Sequence, residues 1–143
     1  MKVIIFFVLS LLAWSGGYAQ CKNFAMDKKE ALGSYIHDGA FNASQLSSGQ
    51  TVQLFKTLYK GQKYRIVVAG SEQLKQFEMR ILDLSYKTIY VNYDANLTKI
   101  WDFTVENTSS FIISVKGLQS GSKIEEGCVA VLFGFKSKEA SLR

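Results

Sequence analysis

Apolar and polar residues alternate in short runs along most of the chain, which is the pattern of β-strands with one buried face. Tyr64, Ile66 and Val68, for example, alternate with Lys63 and Arg65. Clusters of Gly, Asn, Asp and Ser separate the runs at intervals of about 10–12 residues. The runs cover residues 51–58, 63–68, 77–82, 88–93, 100–106, 111–116 and 129–135, and residues 34–37 could add an edge strand.

The pattern predicts an all-β fold, an antiparallel β-sandwich of jelly-roll-like type with seven or eight strands. Each sheet should bury one face and leave the other wet, although residues 129–135 are apolar on both faces. Residues 22–33 have helical spacing instead, and Gly33 is a suitable stop, so a short N-terminal helix is expected. No helical pattern lies between the strands, which argues against parallel βαβ units.

The N-terminus predicts an export signal. Lys2 precedes an apolar run over residues 3–14, small residues follow, and Ala19 offers a cleavage point. The apolar run is shorter than the roughly 20 residues that a spanning helix needs. We therefore expect a signal peptide at residues 1–19 and one β-sandwich domain at residues 20–143, without a transmembrane segment after cleavage. The expected location is periplasmic or extracellular, and an extracellular protein could also be attached to the cell surface.

The two cysteines, Cys21 and Cys128, allow two interpretations. In an exported protein an even number of cysteines indicates a disulfide, which would tie the N-terminal segment to the last strand. Lipidation of Cys21 is the alternative, because lipoproteins carry a cysteine at their first mature position. Tyr18 and Gln20 do not match the aliphatic and small residues of a bacterial lipobox. The disulfide is the favoured interpretation.

Catalytic chemistry has little support. The chain has one histidine, His37, which is expected at a strand end before a turn, and it has no Gly-x-Ser-x-Gly elbow. Phosphate-cradling glycine loops are absent too, so we expect no cofactor. A carboxylate-dependent hydrolase assembled across strands stays as the alternative. Its candidates, Asp102 and Glu106, share a predicted strand face but lie about 13 Å apart at strand rise.

A metal site is weakly supported. Cys and His ligands are too few for zinc. Asn92, Asp94 and Asn96 place oxygen atoms at alternate positions, as a calcium loop would, but the same residues favour ordinary turns. Whether calcium binds there is left open.

The candidate ligand-facing residues are basic and aromatic. Lys63 and Arg65 share one strand face, while Tyr86, Tyr90 and Asn92 are expected on wet positions. Trp101 alternates with other large apolar residues and is expected in the core. The formal net charge of +5 permits weak attraction to acidic polymers, but export makes nucleic acid a poor candidate. The protein is expected to be a non-enzymatic binding or accessory module for an envelope protein or glycan. The sequence does not determine its oligomeric state.

Three segments carry a resemblance to known proteins: residues 64–68 after Gly61 and Gln62, residues 101–105, and residues 127–135. With them, the chain resembles small exported bacterial β-sandwich proteins of uncharacterised function. It is also distantly similar to the jelly-roll domain that accompanies secreted peptidases as a C-terminal accessory. The resemblance implies a β-sandwich, an exported location and a binding or accessory role.

Overall fold

A computed structural model describes residues 16–119 and 121–137, with side chains from Gln20 onward. A helix, α1 (Gly16–Asp27), continues into a 3-10 helix (Lys28–Leu32), and a second 3-10 helix spans Glu72–Leu74. The strands of this part of the chain are β1 (Ile36–His37), β2 (Asn42–Ser47), β3 (Thr51–Leu58), β4 (Gln62–Gly70), β5 (Phe77–Leu82), β6 (Thr88–Asn92), β7 (Thr98–Thr104), β8 (Ser109–Gly117) and β9 (Glu126–Ser137).

The strands form two antiparallel sheets. In sheet A the order is β1–β9–β4–β7, and β2 pairs with β9 on the same side as β1. In sheet B the order is β3–β8–β5–β6. The edge strands are therefore β1, β2 and β7 in sheet A, and β3 and β6 in sheet B. The predicted all-β sandwich is confirmed, with nine strands in the described residues rather than seven or eight.

The core lies between the sheets and follows the predicted alternation. Tyr64, Ile66 and Val68 of β4 face inward together with alternate residues of β9, β5 and β8. Burial of such side chains contributes about 25 cal/mol per Å² of apolar surface, which is the main force that holds the two sheets together.

The outer face of sheet A is covered, so the expectation that each sheet leaves one face wet is wrong for this sheet. Val67, Ala130 and Leu132 point away from the sandwich core and are still fully buried. They pack against Ala25 of α1 and Leu32 of the 3-10 helix. This second cluster explains why residues 129–135 are apolar on both faces. The N-terminal helix, predicted at residues 22–33, begins earlier and ends in 3-10 form before Gly33.

The predicted disulfide between Cys21 and Cys128 is confirmed. Cys21 lies in α1 and is buried, while Cys128 lies in β9, so the bond fastens the helix to sheet A. The bond leaves no thiol on Cys21 for lipidation. The bond joins two residues that are separated by 107 positions in the sequence.

Two expectations fall partly outside the described residues. The signal peptide at residues 1–19 lies mostly there, and its cleavage stays a prediction. Residue 120 and residues 138–143 of the domain predicted at residues 20–143 lie there as well. Among the described helices, none has both the length and the apolar character needed to cross a bilayer.

Candidate binding surface

A column of stacked aromatic side chains closes the sandwich at the edge where β6 and β7 meet. The rings of Tyr90 and Trp101 lie 5.0 Å apart at an interplanar angle of 10°. The rings of Trp101 and Phe103 lie 4.0 Å apart at 16°. All three are partly buried and pack against the core. This aromatic column (Tyr90, Trp101, Phe103) joins the free edges of the two sheets without main-chain pairing.

The column reverses the predicted orientation of β6. Tyr90 and Asn92 were expected on wet positions, but both are partly buried, and Tyr90 packs on the core. Ile89 and Val91, which alternate with Tyr90 and Asn92 along the strand, are the exposed residues instead. The register shifts between Ile81 and Leu82 of the neighbouring strand β5, and this bulge places Leu82 opposite Thr88. Trp101 is partly buried and packs against the core, in agreement with its expected packing role.

Exposed apolar side chains concentrate around this edge. Five of the eleven exposed large apolar side chains of the described residues lie within residues 84–93, in the β5–β6 turn, in β6 and directly after it. We call these five the apolar edge: Leu84, Tyr86, Ile89, Val91 and Tyr93. Ile100 is also exposed, but it lies opposite Val67 on the outer face of sheet A. Strand β6 itself carries no charged residue and pairs only with β5. Natural edge strands are commonly protected by lysines, prolines or covering loops, and β6 has neither lysine nor proline.

The β5–β6 turn holds Tyr86 on the apolar edge in a fixed position. The Asp83 carboxylate accepts hydrogen bonds from the Ser85 hydroxyl at 2.7 Å and from the backbone N–H groups of Ser85 and Lys87 at 2.9 Å. Tyr86 has a positive φ of 63° and is 63% exposed. Hydrogen bonds to the ionised form, above all from the Ser85 hydroxyl, lower the pKa of Asp83. Tyr86 thus projects into solvent, as expected from the sequence.

The suspected calcium loop is filled by a lysine. The Lys99 side chain is fully buried, and its ammonium donates to the Asp94 carbonyl at 2.6 Å, to Asp94 Oδ1 at 3.2 Å and to Asn92 Oδ1 at 3.5 Å. The ammonium also lies 4.8 Å from the centre of the Phe77 ring. The Asn96 backbone N–H donates to Asp94 Oδ1 at 2.9 Å. Two of the three side-chain oxygens that suggested calcium, those of Asn92 and Asp94, therefore bind an internal cation.

The stability of both turns should depend on pH. The pKa of Asp94 is lowered, chiefly by the hydrogen bond from the Asn96 N–H and further by Lys99. A carboxyl group with a lowered folded-state pKa stabilises the protein above its unfolded pKa of about 4, and this contribution is lost as the pH falls further. We expect the double variant Asp83→Asn/Asp94→Asn to lose less stability between pH 5 and pH 3 than the unmodified protein, in urea unfolding at each pH. If the free energy of unfolding fell equally with pH in the two proteins, the stabilising role of the Asp83 and Asp94 carboxylates would be contradicted.

The basic candidates lie on a different surface, the outer face of sheet A. Arg65 donates to both oxygens of Asp102 at 2.8 and 2.7 Å and to the Ala31 carbonyl at 3.3 Å. Its guanidinium also lies 4.8 Å from the centre of the Tyr35 ring. The hydrogen bonds with Asp102 raise the pKa of Arg65 further above its usual value. Lys63 is cross-strand from Lys136 on this face. Arg65 thus anchors the N-terminal segment to sheet A, and ligand binding by either residue stays a prediction.

The carboxylates do not form the expected arrangement. Strand β7 ends at Thr104, so Glu106 does not share a strand with Asp102. Both Asp102 oxygens already accept hydrogen bonds from Arg65, which disfavours a role as general base. Within residues 16–119 and 121–137, no three His, Cys, Asp or Glu side chains cluster as metal ligands would.

Comparison with known proteins connects the chain to one solved fold. No protein-family model matches the chain, and no curated protein sequence matches it. Among solved structures, the chain is similar to the Aeromonas hydrophila PliG, described as a periplasmic lysozyme inhibitor of g-type lysozyme. The TM-score is 0.53 at 13% sequence identity, over 72% of this chain and 89% of that one. This likeness shows that the β-sandwich of the chain is a fold also found in a periplasmic inhibitor protein.

Proposed function

We propose that the protein is an exported, non-enzymatic binding module that takes a protein partner on the apolar edge. The observation that carries the proposal is the concentration of exposed apolar side chains on and beside an uncharged edge strand, β6, which pairs only with β5. Contiguous exposed apolar surface marks interaction sites, and a free strand edge can pair with an extended segment of a partner. Aromatic residues are also enriched in protein interfaces.

Export is supported by the disulfide, because such bonds persist in oxidising compartments outside the cytosol. The hydrogen bonds from Arg65 to both Asp102 oxygens disfavour the hydrolase alternative at this residue. The fold likeness to an inhibitor of g-type lysozyme makes a wall-cleaving lysozyme the first partner class to assay. We propose that the apolar edge binds such an enzyme and inhibits it. The peptidase-accessory role remains an untested prediction.

The test is a lysozyme assay with one variant inside the apolar edge. The disulfide-bonded protein is expected to slow the clearing of a bacterial cell suspension by g-type lysozyme. Val91 is 39% exposed and lies cross-strand from Arg80, so Val91→Glu places a carboxylate on the surface opposite a basic residue rather than an acidic one. We expect this variant to bind at least about tenfold more weakly, equivalent to 1.4 kcal/mol, in titration calorimetry.

A matched control lies on the opposite edge of the same sheet. Gln53 of β3 is exposed on the outer face of sheet B, and Gln53→Glu adds the same charge there. This control should inhibit as well as the unmodified protein. Equal inhibition by Val91→Glu and Gln53→Glu would show that the apolar edge is not the binding surface. No inhibition or binding of g-, c- or i-type lysozyme would overturn the lysozyme proposal.

A further inference from the structure

A second site lies at the end of the sandwich where β3 turns into β4. A pocket of about 330 Å³ opens there between the two sheets. Its walls come from the β1–β2 turn, β3, the β3–β4 turn, β4 and β9. This volume is at the lower end of the range of small-molecule pockets. The pocket is separate from the apolar edge in its residues, since the two share none.

An ion pair forms one wall of the end pocket. Lys56 has an inward position on β3, and its ammonium bonds Asp38 Oδ2 at 2.5 Å while lying 4.8 Å from the centre of the Phe133 ring. Both side chains are largely buried. The Asp38 carboxylate also accepts the Ala40 N–H at 2.9 Å, and His37 Nε2 lies 3.8 Å from it. The wall therefore offers a donor and an acceptor side by side without net charge, which suits a neutral polar ligand better than an ion.

A buried acceptor without a partner lies beside the same space. Gln62 lines the end pocket, and its Oε1 atom is buried and accepts no hydrogen bond from any described residue. An unsatisfied buried polar atom is destabilising, so a donor that reaches it would be favoured. The neighbouring Tyr64 hydroxyl accepts the Tyr59 N–H at 3.0 Å. A rotation of the Gln62 side chain would turn its oxygen toward a ligand in the pocket.

An exposed aromatic ring stands at the rim. Tyr59 lies in the β3–β4 turn, lines the end pocket and is 60% exposed. Its backbone bond to the Tyr64 hydroxyl fixes the turn that carries it. Sugars combine an apolar C–H surface with adjacent hydroxyl groups. A flat aromatic ring can stack on the C–H surface, while neighbouring donors and acceptors bond the hydroxyl groups.

We propose that the end pocket binds a single neutral sugar ring. The ring stacks on Tyr59, its hydroxyl groups bond Asp38 and Lys56, and the Gln62 side chain rotates so that its Oε1 accepts a hydrogen bond from one hydroxyl. The ring can belong to a free monosaccharide or to a glycan chain, and the recognition chemistry is the same for both. This site does not depend on the apolar edge, so failure of one proposal leaves the other intact.

The experiment is saturation-transfer NMR on the disulfide-bonded protein with glucose, galactose, N-acetylglucosamine and a trimer of N-acetylglucosamine. We expect saturation transfer to at least one of these sugars. In spectra of the protein itself, the same sugar should shift amide signals, with the largest changes around Tyr59 and Gln62. Tighter binding of the trimer would identify a glycan chain as the source, and equal binding a free sugar. No saturation transfer from any of the four would overturn the proposal.

Two variants and a control separate binding from folding. Tyr59→Ala is expected to weaken sugar binding about tenfold. Gln62→Leu, which removes the unpaired Oε1 together with Nε2, should weaken binding with little change in stability. Phe55→Ala removes an aromatic side chain that is equally exposed, at 60%, but lies outside both the pocket and the apolar edge, and it should bind sugar like the unmodified protein. An equal loss for Tyr59→Ala and Phe55→Ala would show nonspecific stacking and overturn the assignment.

Discussion

Replacing both cysteines, as Cys21→Ala/Cys128→Ala, is expected to lower the free energy of unfolding by about 4–5 kcal/mol. The bond joins residues 107 apart, and a loop of that length strongly restricts the unfolded chain in the chain-entropy description. Domains of this size are commonly stable by only about 5–15 kcal/mol, so the variant would retain a small margin. Urea unfolding of the two proteins measures the difference.

The same variant should loosen the N-terminal helix before the sandwich. Helix α1 covers Val67, Ala130 and Leu132, and the disulfide is its covalent attachment to sheet A. We expect trypsin to cleave after Lys28 or Lys29 faster in the variant than in the oxidised protein. Reduction of the unmodified protein with a thiol reagent should reproduce both effects. A loss below about 1 kcal/mol by either route would contradict this role of the bond.

Lys99→Ala is expected to destabilise the protein by about 3–4 kcal/mol. The substitution empties the space beside Phe77 and removes the donor that Asp94 and Asn92 share. Lys99→Met keeps most of the buried chain and removes only the ammonium. Because Asp94 is half exposed and water can reach its oxygen atoms, this variant should lose only about 1–2 kcal/mol. The ordering of the two losses distinguishes packing from charge.

Trp101 fluorescence during urea unfolding provides the measurement, since Trp101 lies on the same strand, β7, as Lys99. Lys87→Ala is the control, because Lys87 is an exposed lysine in a neighbouring turn and should change stability by less than about 0.5 kcal/mol. A loss below about 1 kcal/mol for Lys99→Ala would contradict the buried ammonium.

Sequence alternation predicted most of the strands, because burial between two sheets imposes a period of two on each of them. It missed β2, whose residues Asn-Ala-Ser-Gln-Leu-Ser have little strand propensity. That strand exists because it pairs with β9 along its whole length, from Asn42 opposite Val131 to Ser47 opposite Glu126. Tertiary pairing there outweighs local preference.

The orientation of β6 could not be obtained from its own residues. Ile89 and Val91 are more hydrophobic than Tyr90 and Asn92, so alternation assigned the first pair to the core. In the structure Tyr90 faces inward because it stacks on Trp101, and this contact joins strands of different sheets. The apolar edge therefore appears only in three dimensions.

The other site residues were hidden for related reasons. A lysine is normally solvated, and nothing local indicates that Lys99 turns inward to the oxygen atoms of the preceding turn. The end pocket brings Asp38 together with Lys56, Tyr59 and Gln62, and Lys56 lies 18 residues after Asp38 in the sequence. The disulfide was predictable because the chain offers only two cysteines, so the pairing had a single solution.

The filled Asn92–Asp94 turn also determines which surroundings the protein tolerates. A loop that needs calcium loses its shape where the ion is scarce, and chelators unfold it. Here the positive charge is covalently part of the chain, at fixed stoichiometry and without a binding equilibrium. The turn beside the aromatic column should therefore keep its geometry in calcium-rich and calcium-poor fluids alike. A protein that works outside the cell would thus present the same apolar edge whatever the mineral content around it.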